Sequence, residues 1–145
     1  MTATRTGEVT THRGRLVAAA ELLVTLAALY GGVGLIADNA IGMGDDWLAG
    51  TPFTSWMWPG ILLLLVVAAP MAVAAVLELG GSRWAMTASV LAGAAQIGWI
   101  GAQLLVMQRY HVLQPIMLGF GLLVVLMALW THRRTPLGPE RLPSP

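Results

Sequence analysis

Four separate stretches of this chain run for about twenty residues each on Leu, Val, Ala, Ile, Met and Gly, with almost no charge. A hydrocarbon core about 30 Å thick is crossed by roughly 20 apolar residues in a helix, so each stretch is long enough to span it. The predicted spans are residues 16–37, 57–78, 84–107 and 112–131. None alternates strictly between apolar and polar residues, which argues against outer-membrane strands. In lipid, every backbone N–H and C=O must be satisfied inside the protein, and helices do this within one segment. The sequence therefore predicts an all-α integral membrane protein, a four-helix antiparallel bundle.

Composition excludes the competing classes. Of 145 residues, 57% are hydrophobic and 10% charged, against roughly 25% charged in soluble domains. So small a soluble protein would be unable to cover its surface with polar groups. Disorder requires the opposite bias, low hydrophobicity and high charge. The absence of cysteine removes disulfides, thiolate metal sites and iron–sulfur ligation. A net charge of +1 gives no case for nucleic acid as a partner. The first span exceeds the roughly 7–15 apolar residues of a signal-peptide core and no A-x-A site follows it, so a retained helix is expected.

Direction follows from arginine, because the chain has no lysine. Arg5, Arg13 and Arg15 precede the first span, Arg83 separates the second and third, and Arg133, Arg134 and Arg141 follow the fourth. The remaining two connections hold only Arg109. The positive-inside rule then predicts both termini, and the Gly80–Arg83 turn, in the cytoplasm. Trp47, Trp56 and Trp58 fall at the predicted outer interface and Trp84 and Trp130 at the inner one, where amphipathic rings are favoured. Residues 1–15 are expected to be a cytoplasmic N-terminal tail, 16–131 the transmembrane domain, and 132–145 a Pro-rich cytoplasmic tail. The arginine-only basic complement and the Ala/Gly/Leu/Val richness suit a GC-rich bacterium and its plasma (inner) membrane.

Hydrophobicity does not hold helices together in lipid; close backbone approach and buried polar contacts do. Small residues recur at four-residue spacing in helix three (Ala94, Gly98, Ala102, with Gly93 and Gly101 beside them). Helix one carries Ala27, Ala28, Gly31 and Gly32, and helix two carries Ala68 and Ala72 with a bend expected at Pro70. These seams are read as intrachain packing. Polar residues within the spans are functional candidates by default. Glu21 lies one to two turns inside helix one, near the depth of Thr87 and Ser89, with Arg15 and Arg83 within snorkelling reach. Its bland reading is an interfacial carboxylate paired with an arginine; its sharp reading is a proton- or cation-binding site. Gln96, Gln103 and Trp99 share a face of helix three, and Tyr30 of helix one falls at the same depth. These four are candidates for a polar crevice that takes a lipid-soluble ligand, or for interhelical hydrogen bonds that fix the bundle.

The long outer loop, residues 38–56, contains Ile41, Trp47, Leu48, Phe53 and Trp56, too apolar to float free, and is expected to lie on the membrane surface. Asp38, Asp45, Asp46, Trp47 and Arg109 form a candidate interaction surface, with an aspartate–Arg109 pair expected. The aspartate spacing matches no known calcium loop. The three histidines lack metal or haem spacing, and no nucleophile-elbow, P-loop or dinucleotide motif is present. No metal, cofactor or catalytic residue is therefore predicted.

Several short signals occur together: Tyr30-Gly31-Gly32, Gly42-Met43-Gly44, Leu48-Ala49-Gly50-Thr51-Pro52-Phe53, Pro59-Gly60, Gly98-Trp99-Ile100-Gly101-Ala102-Gln103 and Leu113-Gln114-Pro115. As a set they resemble a group of short, uncharacterised four-helix bacterial membrane proteins over about Tyr30 to Pro115. That pattern often places proline after the first outer-loop aspartate, where this chain has Asn39. A looser similarity is to DoxX-like four-helix proteins, some linked to redox or quinone-related roles. The resemblance implies fold and membrane location, and no activity.

The leading functional expectation is a non-enzymatic accessory, assembly or interaction subunit. Its expected partners are the lipid bilayer and another membrane protein or a second copy of the chain. The alternatives are a small transporter with Glu21 as the coupling carboxylate, and a quinone- or lipid-interacting membrane enzyme using the Tyr30/Gln96/Trp99/Gln103 crevice.

Overall fold

The computed structural model describes residues 4–133, with side chains from His12 onward. Four helices are long and apolar enough to cross a membrane. They are α1 (Thr4–Ile36), α2 (Met57–Leu79), α3 (Ala85–Met107) and α4 (Leu113–His132). Each packs against its sequence neighbours, and α1 also packs against α4, which closes the ring. Both ends of the described chain lie at the end that carries the Gly80–Arg83 turn, hereafter the turn end. The opposite, loop end holds residues 37–56. The central core contains Val24, Ala28, Val67, Ala68, Met71, Ala74, Ala92 and Val124.

Two boundaries depart from the sequence expectation. Helix α1 begins at Thr4 rather than near Leu16, so residues 4–15 are helical backbone and not an irregular tail. Once the apolar span has nucleated a helix, each further residue adds one backbone bond, and polar residues suffice to propagate it. The predicted Pro-rich tail falls almost wholly outside the described residues. Helix α2 is one continuous helix with a π turn at Leu64–Ala68. This turn lies just before Pro70, whose missing N–H leaves the Val66 carbonyl without its usual donor, and a widened turn accommodates that gap.

Glycines decide where backbones touch. A Cβ on Gly60 would fall 2.7 Å from the Gly32 carbonyl oxygen, and one on Gly32 3.1 Å from that of Gly60. Likewise a Cβ on Gly93 would meet the Gly121 carbonyl at 2.9 Å, and one on Gly121 the Gly93 carbonyl at 3.3 Å. One reciprocal pair thus joins α1 to α2 and the other α3 to α4. The Ala94–Gly98–Ala102 row expected to pack is instead exposed on the outside of the bundle, and Gly93, beside it, makes the contact. Four-residue spacing identifies a face but not which way that face points.

Gly60→Ala or Gly93→Ala is expected to cost about 1–3 kcal/mol, the usual range for overpacking a tight contact. Gly98→Ala, built into open space, should lose nothing. Thermal unfolding in detergent micelles, with the three variants side by side, measures the difference.

Candidate functional site

The loop end holds a half-open cavity of about 220 Å³, lined by all four helices and by the 37–56 loop. Its floor is formed by Val24, Val67 and Gln96, and Trp99, Gln103 and Met117 stand along its wall. The lining is mainly apolar, with a few polar groups set into it, the usual composition of a small-molecule site. Two of those groups are unsatisfied. Gln96 is 2% exposed and donates from Nε2 to the Met117 carbonyl at 2.6 Å. That bond fixes the orientation of the amide, so the atom left over is the acceptor, Oε1. Gln96 Oε1 and Trp99 Nε1 are both buried without a hydrogen-bond partner. The residues that carry this acceptor and this donor stand one helical turn apart on α3 and line the cavity, and the two atoms themselves are buried.

The loop roofs this cavity rather than spreading over the membrane surface. Leu48 and Trp56 are buried against Leu35, with Ile41, Met43, Trp47, Phe53 and Met107 packed around them. Ile41, Met43, Trp47 and Trp56 all line the cavity. Trp56, expected at the lipid interface, is only 5% exposed and donates from Nε1 to Asp45 Oδ1 at 3.2 Å. The loop is closed locally by Asn39: its Nδ2 donates to the Met43 carbonyl at 2.7 Å, and its Oδ1 accepts from the Met43 N–H at 3.0 Å. Asn39 has φ +54°, a conformation closed to proline, whose ring fixes φ near about −65°. The departure from the proline-bearing pattern is thus built into this loop's path.

The sequence-derived candidates separate into three places. Gln96, Trp99 and Gln103 meet at the cavity. Tyr30 does not join them; it is 77% exposed on the outer surface of α1. In the loop, Arg109 pairs with Asp46 at 3.0 Å, as expected. Asp45 holds Trp56, Trp47 meets His111 edge-on at 6.1 Å, and Asp38 is exposed with φ +53°. Glu21 stands apart from both groups, near the turn end, and is fully buried. Its expected arginine partner is absent: Arg15 is exposed, and Arg83 lies over the Trp84 ring at 5.3 Å. Helix α1 rotates Glu21 toward the bundle axis, beyond the reach of a side chain held at the interface.

Sequence reasoning missed two residues beside Glu21. Glu78 and His132 were read only as helix ends, yet Glu78 Oε1 lies 3.0 Å from His132 Nε2. The signal was available: within α2, α3 and α4 these are the only ionisable side chains. Among the described residues, no three His, Cys, Asp or Glu side chains converge to hold a metal ion.

No protein-family model, curated protein or solved structure matches the chain.

The roof is held by burial more than by charge. Trp56→Ala is expected to cost about 3–5 kcal/mol, as removal of a buried tryptophan does. Arg109→Ala, which breaks a solvent-exposed pair, should cost about 0–1 kcal/mol. Unfolding midpoints of the two variants, together with proteolysis of the 38–56 loop, report the contrast.

Proposed function

We propose that this chain is a multi-pass protein of a bacterial inner membrane, with both termini cytoplasmic, that binds a lipid-soluble small molecule in the loop-end cavity. The distribution of arginines supports the orientation. At the turn end, Arg13 lies over the Trp130 ring at 4.1 Å and Arg83 over that of Trp84, an arrangement suited to a headgroup layer. The resemblance to four-helix bacterial proteins supports the location.

The observation that carries the binding reading is that two residues lining the cavity, Gln96 and Trp99, each keep a buried polar atom without a hydrogen-bond partner. Gln96 fastens α3 to α4 through its Nε2, but its Oε1 and the Trp99 indole N–H are left over. A buried polar atom left without one costs about 1–3 kcal/mol, a penalty that a ligand removes. A hydroxyl carries both an acceptor and a donor, the complement of Trp99 Nε1 and Gln96 Oε1. A bare carbonyl would answer only the indole. The chemistry therefore favours an apolar alcohol, phenol or quinol over a quinone. Such a binder fits an accessory subunit that holds or hands over a lipid-soluble molecule. The apolar residues of the loop, expected on the membrane surface, pack over the cavity.

Trp99→Phe separates binding from fastening. It removes the unpaired donor, so the empty protein should gain about 1 kcal/mol of stability while affinity for an apolar alcohol falls about tenfold, the equivalent of roughly 1.4 kcal/mol. Farnesol and a short-chain quinol, titrated into purified protein and followed by thermal shift, are the probes. If neither raises the wild-type midpoint, the binding reading fails.

A further inference from the structure

The loop-end cavity is half-open, and the exposure of its lining shows on which side. Among the described residues that line it, Ala27, His111 and Leu113 are exposed, whereas every one from α2 and α3 is buried or half-buried. The seam between α1 and α2 is closed by the Gly32–Gly60 contact. That between α3 and α4 is closed by Gly93 with Gly121 and by the bond from Gln96 Nε2 to the Met117 carbonyl. Between α2 and α3, Leu63 and Trp99 pack on the central core. The seam between α1 and α4 remains.

That seam is closed at the turn end and parted toward the loop end. Arg13, Ala20 and Ala27 follow one another at seven-residue spacing, so they lie on one face of α1. At the turn end this face meets α4, where Arg13 lies over the Trp130 ring at 4.1 Å. Ala20 is half-buried against the core. Ala27, further along the same face, is exposed, and on α4 Leu113 is 53% exposed. From Ala27 to Ile36, the end of α1, is nine residues, about 14 Å of rise. The gap therefore begins well inside the apolar span. Its water side is covered: Trp47 meets His111 edge-on, and buried Leu48 and Trp56 roof the cavity.

Volume limits what the cavity holds. A cavity of about 150 Å³ takes one benzene, so 220 Å³ takes about nine carbon atoms on the same scale. A longer chain has to leave, and the parted seam leads it into lipid, where apolar carbon is as well solvated as inside the protein. We infer that the cavity opens sideways into the membrane between α1 and α4, and that its ligand is a long-chain alcohol bound head inward with its chain passing out by Ala27 and Leu113. The inference rests on the reading of the cavity as a site for an apolar hydroxyl compound. It adds that the ligand comes from the bilayer and returns to it without crossing water. Ala27 and Leu113 touch the chain and not the head, so they set the preference for chain length.

Farnesol and cresol, titrated into the full-length protein in lipid nanodiscs, test the inference. Tryptophan fluorescence follows both, since Trp47, Trp56 and Trp99 line the cavity. Cresol fits within the cavity and farnesol exceeds it. Ala27→Phe is expected to weaken farnesol about tenfold, as overfilling an occupied passage does, and to leave cresol unchanged. Ala102→Phe, which adds the same ring at an exposed position of α3 away from the seam, should change neither. If Ala27→Phe weakens both probes equally, or neither, the sideways route is wrong while the binding reading stands. If neither probe binds the wild-type protein, both fall together. A farnesol analogue with a photoreactive diazirine at its chain end needs no substitution. It should crosslink to lipid and to the outer surface of α1 and α4 near Tyr30 and Ile116, which are both exposed. Adducts confined to the 38–56 loop would overturn the inference.

Discussion

Close backbone contact at two glycine pairs is the constraint on which the rest of this bundle depends. Lipid tails compete on equal terms for apolar side chains, so helix pairs in a membrane are fastened by packing and not by expulsion of water. Here Gly32 with Gly60 draws α1 onto α2, and Gly93 with Gly121 draws α3 onto α4. Where backbones touch there is little volume left between them. The cavity accordingly takes its wall from both pairs and lies between them, with α1 and α2 on one side and α3 and α4 on the other.

The interior is arranged in tiers along the bundle axis. The cavity occupies the loop end, down to Val24, Val67 and Gln96. A dry layer built around Met71, Ala74, Ala92 and Val124 follows, all of them fully buried. Glu21, Glu78, Ser89 and His132 form the last tier. From Gln96 to Ser89 is seven residues of one helix, about 10 Å of rise. Among the described residues, the buried side-chain atoms left without a hydrogen-bond partner thus lie at two depths, Gln96 and Trp99 on one side of an apolar plug and Glu21 on the other. The π turn at Leu64–Ala68 falls where α2 passes from the cavity to the plug, an irregularity of the sort often found beside functional sites.

The surroundings of the two tiers differ in a way that bears on their chemistry. At the loop end the polar atoms are neutral, a lone amide oxygen and a lone indole N–H, and ask for a hydroxyl-sized partner. At the turn end they are ionisable: the buried carboxyl group of Glu21 and the Glu78–His132 pair. Unsatisfied groups of this kind are the features that packing alone would have removed.

The sequence by itself determined the number and approximate limits of the membrane helices, because apolar length is a one-dimensional property set by bilayer thickness. It also singled out Glu21, Gln96, Trp99 and Gln103, because polar residues inside such spans are few. It gave Arg109 an aspartate partner at that end, and the structure chose Asp46 from the three available. Tertiary structure decided what helical rotation decides. Tyr30 turned outward although its depth matched Gln96, the Ala94–Gly98–Ala102 row turned away from the bundle, and Glu21 turned inward, away from the arginines. Depth along a helix is fixed by counting residues, but which face meets a neighbour depends on packing against both adjacent helices of the ring at once. Residues far apart in sequence, such as Glu78 and His132, meet only when the ring of helices closes. The loop's apolar residues, which the sequence assigned to the membrane surface, pack instead on the helix ends and the cavity beneath them.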